Sequence, residues 1–387
     1  KSSAKLFVMI LMTLIVGALS GFPEKPFWGF AVLSGTVTIW IVFTYSQFLN
    51  ELVVWDIVRP TLAMALTQLS VFSYTFLILD KDKRFLRQTF GTYISPKLID
   101  KMITEKTEPQ LGGQEGMHTA FFSDIEGFTK ISEQMKPVDL VQLLNEYLTD
   151  MTTILLENQG TLDKYIGDAI VAFYGAPIPV KDHEYMACIT ALAMQKQQSR
   201  IRNRWKKEGE RWPKIVHQMN TRIGLHTGPM VTGNMGSEQR MNYTMMGDTV
   251  NLASRLEASA KQYGVYTQIS EDTYAAVKER VVARELDHVR VVGKLLPVKT
   301  YELVALNGEE SETYKTLIPE FQEALKAYRN NKFEKAKTMF SNLEKIEETY
   351  PGRKKNPSQV YVERCTSLIS SPPEEDWGGV WTLTEKK

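Results

Sequence analysis

Three apolar runs within the first 80 residues constrain the fold of this chain more than any other feature. They cover residues 6–22, 27–48 and 60–79, and the connections between them are short. Each run has roughly the 20 residues that a helix needs to cross a bilayer. Core helices of a soluble protein have a similar composition, but three consecutive runs are hard to bury in a chain of 387 residues. We therefore predict three transmembrane helices in residues 1–80, with the lipid bilayer as a partner.

The charges beside these runs predict the orientation of the chain. Lys81, Lys83, Arg84 and Arg87 follow the third run closely, whereas the loop around Asn50 carries no basic residue. Because basic residues favour the cytoplasmic side, everything after residue 80 is expected inside a multi-pass protein of the cell (inner) membrane. Residue 1 is a lysine rather than a methionine, so a preceding segment such as an extracellular sensor domain is also expected.

The overall composition argues against several other classes of protein. The 46 basic residues are balanced by 45 acidic ones, so no global field favours nucleic acid, and we expect no nucleic-acid partner. Two cysteines far apart make no disulfide framework, and the five histidines form no cluster with zinc-ligand spacing.

Two aspartates after apolar segments form the first candidate site. The run Ala120-Phe121-Phe122 ends near Asp124, and the segment 161–174 predicts a hairpin with Asp168 at its turn. Only one helix-length segment separates them, so strand, helix and hairpin can bring both carboxylates to one end of a sheet. Such carboxylates can fix a metal ion, although a single aspartate at a strand end is more often a turn residue.

A third segment, residues 243–255, supplies a polar helix face. Asp248 is suited to cap a helix that begins near Thr249. Asn251 and Arg255 are four residues apart, so their side chains lie on the same face. On a surface helix both could be ordinary solvated residues.

The order of the predicted elements indicates the fold class. Strands are predicted over 119–124, 161–174 (as a hairpin), 221–227 and near 230–232, and helices over 138–158, 183–206 and 249–263. This order is typical of an α+β, ferredoxin-like (βαββαβ) domain, which we place at residues 117–306. Residues 81–116 are predicted to be a cytoplasmic linker. Residues 307–387 are predicted to be a tetratricopeptide-like helical hairpin with a docked polar tail.

The segments 122–129, 163–169 and 243–255 together resemble the class III adenylate and guanylate cyclases, and the resemblance spans residues 119–305. Three spaced motifs in the right order make it specific. The N-terminal part resembles that of bacterial members with three transmembrane helices and an extracellular CHASE-type sensor. The resemblance implies the ferredoxin-like fold and a reaction in which the 3′-hydroxyl of a nucleoside triphosphate attacks its own α-phosphate, releasing pyrophosphate for intracellular signalling.

The resemblance also implies a role for each matching residue. Two Mg²⁺ or Mn²⁺ ions per active site are expected on Asp124, Asp168 and the backbone carbonyl of Ile125. Asn251 would orient the ribose, and Arg255 would stabilise charge at the α-phosphate. The base would be read by Lys164 and Thr244, a pair that favours ATP and leaves GTP as an alternative. Lys294 would contact the terminal phosphates, although Val292 stands where the family usually has a second lysine.

In this family the metal carboxylates come from one subunit, and the residues matching Lys164, Thr244, Asn251 and Arg255 come from the other. The resemblance therefore implies a homodimer with two equivalent sites. A catalytically inactive cyclase-like receptor or scaffold is the competing hypothesis. A scaffold has no need to keep Asp124, Asp168, Lys164, Asn251 and Arg255 together. Their presence favours an adenylate cyclase.

Overall fold

The computed structural model describes residues 2–21, 26–74, 110–290, 297–347, 355–373 and 377–382. The chain divides into two compact units, Lys1–Ile99 and Asp100–Lys387.

The described part of the first unit contains three helices that coincide with the predicted apolar runs: α1 (Ser2–Gly21), α2 (Pro26–Glu51) and α3 (Val58–Tyr74). Their shared core is small and centres on Val16, Trp40 and Met64, while most other large apolar side chains are exposed.

In the described part of the chain, one helix, Trp28–Glu51, has the length and hydropathy needed to cross a membrane. The apolar part of α1, Leu6–Ser20, is shorter, and α3 has 17 residues before the described range ends at Tyr74. The prediction of three crossings is therefore supported for one helix only.

The second unit is built on a mixed sheet, whose described strands are β1 (Gly112–Ile125), β2 (Thr161–Ile166), β3 (Ala169–Tyr174), β4 (Thr221–Ser237), β5 (Arg240–Met246), β6 (Thr267–Ser270), β7 (Val281–Arg290), β8 (Val298–Leu306) and β9 (Trp381–Thr382). The order is β2-β3-β1-β4-β6-β8-β7-β9, and β5 pairs with β4. The helices are α4 (Phe128–Ser132), α5 (Pro137–Glu157), α6 (His183–Lys207), α7 (Asp248–Tyr263), α8 (Glu271–Val277), α9 (Glu312–Arg329), α10 (Phe333–Glu344) and α11 (Pro357–Ser370).

The first part of this unit has the predicted βαββαβ arrangement. The elements β1, α5, β2, β3, α6 and β4 follow one another, and β4, β1, β3 and β2 are antiparallel neighbours. The α+β prediction is confirmed for this domain.

The alternation of side chains along the strands builds a core on each face of the sheet. Phe121 and Ala172 point into the larger core, with Tyr147 of α5 and Trp205 of α6. Residues one position away point to the opposite face, where Phe173 shares a cluster with Ala253 of α7. Helix α7 therefore covers the face of the sheet that α5 and α6 leave open.

Helix boundaries follow local chemistry. Helix α5 has a proline in its first turn, where no backbone donor is needed, together with Asp139. Helix α8 begins after Ser270, whose Oγ accepts a hydrogen bond from the Thr273 N–H at 3.2 Å. Helix α11 begins after Asn356, whose side chain accepts from the Gln359 N–H at 2.9 Å. Both are side-chain caps that satisfy a free helical donor.

Several elements differ from the sequence-based expectation. Strand β1 has 14 residues rather than the predicted 119–124, because residues 112–118 pair with 228–234 of β4. Strand β4 is one continuous strand instead of two segments, and β5 was not predicted. The domain boundaries at residues 80, 116 and 306 remain predictions.

The C-terminal part contains a third helix, α11, beyond the predicted hairpin. The hairpin α9–α10 cannot bury its own apolar face, and α11 closes it by packing Tyr361 against Phe321 and Phe340. The tail returns to the sheet as β9, which pairs in parallel with β7 through Trp381 and Val289. The tail therefore contacts the sheet at these residues.

Candidate active site

Asp124 and Asp168 meet at one end of the sheet, as the sequence predicts. Strands β1 and β3 are antiparallel, with Ser123 opposite Ile170. The next residue of β1 is Asp124, and Asp168 lies in the turn just before β3. The Asp168 Oδ2 accepts a hydrogen bond from the backbone N–H of Ile125 at 3.0 Å, which fixes one carboxylate beside the other.

The electrostatics of this pair favour a bound cation. Burial, together with the charge of Asp124, raises the pKa of Asp168 to about 6. Two carboxylates that repel each other in a partly buried site are stabilised by a cation. No group of three or more His, Cys, Asp or Glu ligands occurs in the described residues. Two carboxylates fit Mg²⁺ or Mn²⁺, because Mg²⁺ keeps water and phosphate oxygens as its remaining ligands.

Arg222 is a residue of this site that sequence reasoning missed. It lies opposite Asp124 in the β1–β4 register, and its Nη2 donates to Asp124 Oδ2 at 2.9 Å. Its Nε donates to Glu257 Oε1 at 2.7 Å, and its Nη1 is 3.9 Å from Glu126 Oε1. A lone arginine beside the apolar residues of a predicted strand is the signal that could have revealed it.

Glu257 extends the acidic character of the site from helix α7. Its side chain is 12% exposed, and burial raises its pKa to about 7 despite the opposing effect of Arg222. One arginine thus faces the carboxyl groups of Asp124, Glu126 and Glu257, with Asp168 beside them. Among the residues that the structure describes, acidic groups exceed basic ones at this end of the sheet, which again favours divalent cations.

The structure also brings Lys164 of β2 and Thr244 of β5 together. The Lys164 Nζ donates to Thr244 Oγ1 at 3.3 Å, and the Thr244 hydroxyl donates to Asp163 Oδ2 at 2.6 Å. Asp163 also pairs with Lys164 at 3.4 Å, and its side chain is 2% exposed whereas that of Lys164 is 45% exposed. Burial raises the pKa of Asp163, against the hydrogen bonds from Thr244 and Lys164. Asp163, which the motif reasoning did not single out, therefore positions both residues.

Asn251 and Arg255 lie on the first half of α7, as predicted. Asn251 is exposed and Arg255 is partly buried. The Arg255 Nη1 is buried without a hydrogen-bond partner, a costly state for a permanent cation. Among the described residues, no hydrogen bond or ion pair joins either side chain to Asp124 or Asp168. Lys294, the predicted phosphate contact, lies outside the described residues.

Comparison with known proteins agrees with this geometry. Residues 114–305 match the sequence model of the adenylate and guanylate cyclase catalytic domain. Residues 114–305 are a cyclase catalytic domain of this family. The predicted catalytic domain is thereby confirmed.

Individual relatives of the cyclase domain cover only part of the chain. The sequence is 33% identical over 232 residues to Adenylate cyclase 1 of Rhizobium meliloti (strain 1021), an alignment that covers 58% of this chain and 34% of that protein. The chain thus spans about a third of that relative.

Two solved structures resemble the cyclase domain. The adenylyl cyclase CyaB from P. aeruginosa is 34% identical, with a TM-score of 0.47, and the match covers 52% of this chain and all of that one. A bacterial light-regulated adenylyl cyclase shares the fold at 23% identity and a TM-score of 0.50, over 64% of this chain and 69% of its own.

Proposed function

We propose that this protein is a membrane-anchored adenylate cyclase that converts ATP to cyclic AMP and pyrophosphate. The main support for the proposal is that the carboxylates of Asp124 and Asp168 lie side by side at one end of a cyclase-family sheet. The names of the relatives, Adenylate cyclase 1 among them, support the same activity.

The residues at the sheet end fit a two-metal site. Asp124, Asp168 and the carbonyl of Ile125 would hold two Mg²⁺ or Mn²⁺ ions. When bound, such ions activate the 3′-hydroxyl and neutralise charge on the phosphates. Arg222 keeps the Asp124 carboxylate oriented through a charge-assisted hydrogen bond, and it is held in turn by Glu257.

The geometry at Thr244 supports adenine as the base. The Thr244 hydroxyl proton is used in its bond to Asp163, so its oxygen can only accept further hydrogen bonds. An acceptor suits the amino group at position 6 of adenine, whereas guanine presents a carbonyl oxygen there. Lys164, which is half-exposed beside Thr244, can donate to a ring nitrogen of the same base.

Asn251 and Arg255 complete the chemistry in this proposal. Asn251 would orient the ribose so that its 3′-hydroxyl is in line with the α-phosphate. Arg255 would place its unpaired guanidinium Nη1 against the charge that develops there. A phosphate oxygen would supply the hydrogen-bond acceptor that this buried donor lacks.

We further propose that the active site forms between two copies of the chain. No described contact joins Asn251 or Arg255 to the carboxylate pair within one chain. In a twofold dimer, each of these two sets of residues would instead face its counterpart on the other subunit. Such a dimer would contain two equivalent sites.

The decisive experiment measures turnover of ATP and of GTP by the full-length protein in membranes with Mn²⁺. We expect cyclic AMP from ATP, little product from GTP, and a loss of activity in Asp124→Ala. Better turnover of GTP would exclude the adenylate assignment. Absence of any cyclic nucleotide from the wild type would favour an inactive scaffold.

The shared site is tested by mixing two inactive variants. Asp124→Ala and Asn251→Ala should each be nearly inactive alone. In a mixed dimer one site collects both changes and the other collects neither. With random pairing at equal amounts, half of the dimers are mixed, so activity should return to roughly a quarter of wild type. Mixed dimers, verified by pull-down, that stay inactive would exclude a site built in this way.

A further inference from the structure

The face of helix α7 away from Asn251 contacts the C-terminal helix α11. Leu252 and Leu256 of α7 are fully buried, and they share one apolar cluster with Leu286 and Val289 of β7 and with Val360 of α11. These two leucines directly follow Asn251 and Arg255 in the sequence. Each predicted substrate contact is therefore the sequence neighbour of a leucine that packs in the same cluster as α11.

A buried polar cluster joins the same two helices at the end of α7. The Arg364 Nη1 of α11 donates to Asp287 Oδ2 of β7 at 2.6 Å. The hydroxyl of Tyr263, the last residue of α7, donates to the same oxygen at 2.6 Å. The Arg364 Nη2 completes the triangle by donating to the Tyr263 hydroxyl at 3.3 Å. Trp381 of β9 covers the guanidinium, 4.3 Å from its carbon to the ring centroid.

The chain entering α11 approaches α7 closely as well. Gly264 ends α7 with φ at 72°, a left-handed conformation that favours glycine. A Cβ atom at Gly264 would lie 2.2 Å from the carbonyl oxygen of Lys355. No other residue fits this approach without displacement of the backbone.

Helix α11 is itself fixed to the sheet. The Tyr361 hydroxyl donates to the Leu286 carbonyl at 2.7 Å. Glu347 accepts from the Ser358 backbone N–H at 3.1 Å, and it is paired with Arg284 of β7 at 2.5 Å. These buried contacts give α11 a defined position from which it can hold α7.

We propose that α11 is a positioning element of the active site, which sets the place of Asn251 and Arg255 through Val360 and through the Arg364–Asp287–Tyr263 triangle. The inference rests on the proposed function for the roles of Asn251 and Arg255. A displacement of about 1 Å in such groups can lower a rate by about a hundredfold. Helix α11 thereby supports the two predicted substrate contacts without itself contacting substrate.

The kinetic test uses the full-length protein with Arg364→Met, which removes the charge and keeps the volume, and Val360→Ala, a milder change if the first fails to fold. Each should lower kcat by about tenfold and leave KM for ATP nearly unchanged, because the interaction lost belongs to the transition state. The matched control is Arg329→Gln. It removes the 2.7 Å ion pair between α9 and Glu285 of β7, which joins the same C-terminal part to the sheet without contacting α7.

A double-mutant cycle separates positioning from general destabilisation. In an Asn251→Ala background, Val360→Ala should lower the residual kcat by clearly less than it does in the wild type, because one of the two residues that α11 positions is gone. The proposal would be overturned if Val360→Ala lowered kcat by the same factor in both backgrounds. It would also be overturned if Arg329→Gln lowered kcat as much as Val360→Ala does.

Hydrogen exchange gives a readout that does not depend on activity. Amides 249–256 should exchange several-fold faster in Val360→Ala than in wild type or in Arg329→Gln. Unchanged exchange there would also overturn the proposal. If the wild type made no cyclic nucleotide, the proposed function would fail, while the exchange experiment would still decide whether α11 holds α7.

Discussion

Replacing Asp168 with asparagine should stabilise the metal-free protein, because its carboxylate is forced against that of Asp124. Asparagine has nearly the same shape, and its side-chain oxygen can still accept the hydrogen bond from the Ile125 N–H. The variant therefore removes the charge and keeps the local contact.

The expected size follows from the pKa of Asp168, which burial and Asp124 raise from 3.8 to about 6. A pKa difference of this size corresponds to about 3 kcal/mol between folded and unfolded states. The carboxyl group is partly exposed, so solvent screening should leave about 1–2 kcal/mol. Since the pKa is higher in the folded state, ionisation of the Asp168 carboxyl group lowers the free energy of unfolding, and this loss is fully present above pH 6. The loss decreases as the pH falls towards 3.8.

Hydrogen exchange of β1 and β3 amides in EDTA would measure this difference for the second unit alone. At pH 7.5 the slowest amides of Asp168→Asn should exchange about tenfold more slowly than those of the wild type. At pH 4.5 the gain should shrink to roughly half to two thirds of its value at pH 7.5. Mn²⁺ should slow exchange in the wild type and have much less effect on the variant.

The control is Asp139→Asn, which changes an exposed carboxylate in the first turn of α5. It should alter the free energy of unfolding by no more than about 0.5 kcal/mol. A wild type as stable as Asp168→Asn at pH 7.5, or a difference independent of pH, would refute the proposed repulsion between the two carboxylates.

Three further predictions follow from other parts of the chain. Lys164→Glu combined with Thr244→Cys should shift the preference from ATP towards GTP in a competition assay, because the hydrogen-bonding groups at the base edge change; an unchanged ratio would contradict the assignment of these residues. Arg284→Met should lower the free energy of unfolding of the second unit by about 3–5 kcal/mol, measured by the same exchange, because two buried glutamates lose their partner; a loss below about 1 kcal/mol would contradict this. A reporter fused after residue 90 should resist protease added outside intact cells, and cleavage would reverse the predicted orientation.

The sequence predicted those parts of the site that depend on local structure. Asp124 ends a strand and Asp168 lies at a hairpin turn, so a short connection and an antiparallel register were sufficient to bring them together. Asn251 and Arg255 share a helix face because of the period of the helix. Motif spacing then pointed to the cyclase family, which the comparison of residues 114–305 confirms.

The limits of the prediction lie where local pattern carries little information. Strand β5 was missed although its sequence, Arg240–Met246, alternates polar and apolar side chains, the pattern of a half-buried strand. Helix α11 was missed because its 14 residues include four serine or threonine residues, which weaken the local helix signal. Of the three predicted membrane crossings, one helix within the described residues has the length and hydropathy needed to span a membrane.

Tertiary structure alone decided which distant residues contact one another. Arg222 is 98 positions from Asp124, Thr244 is 81 from Asp163, and Arg364 is 101 from Tyr263. A local periodicity shows which face of an element is buried but not which other element covers it. The order and pairing of the strands in the sheet make that choice. For this reason the meeting of Asp124 and Asp168 could be predicted from the sequence. The arginine that joins Asp124 to Glu257, and the C-terminal helix packed against α7, could not.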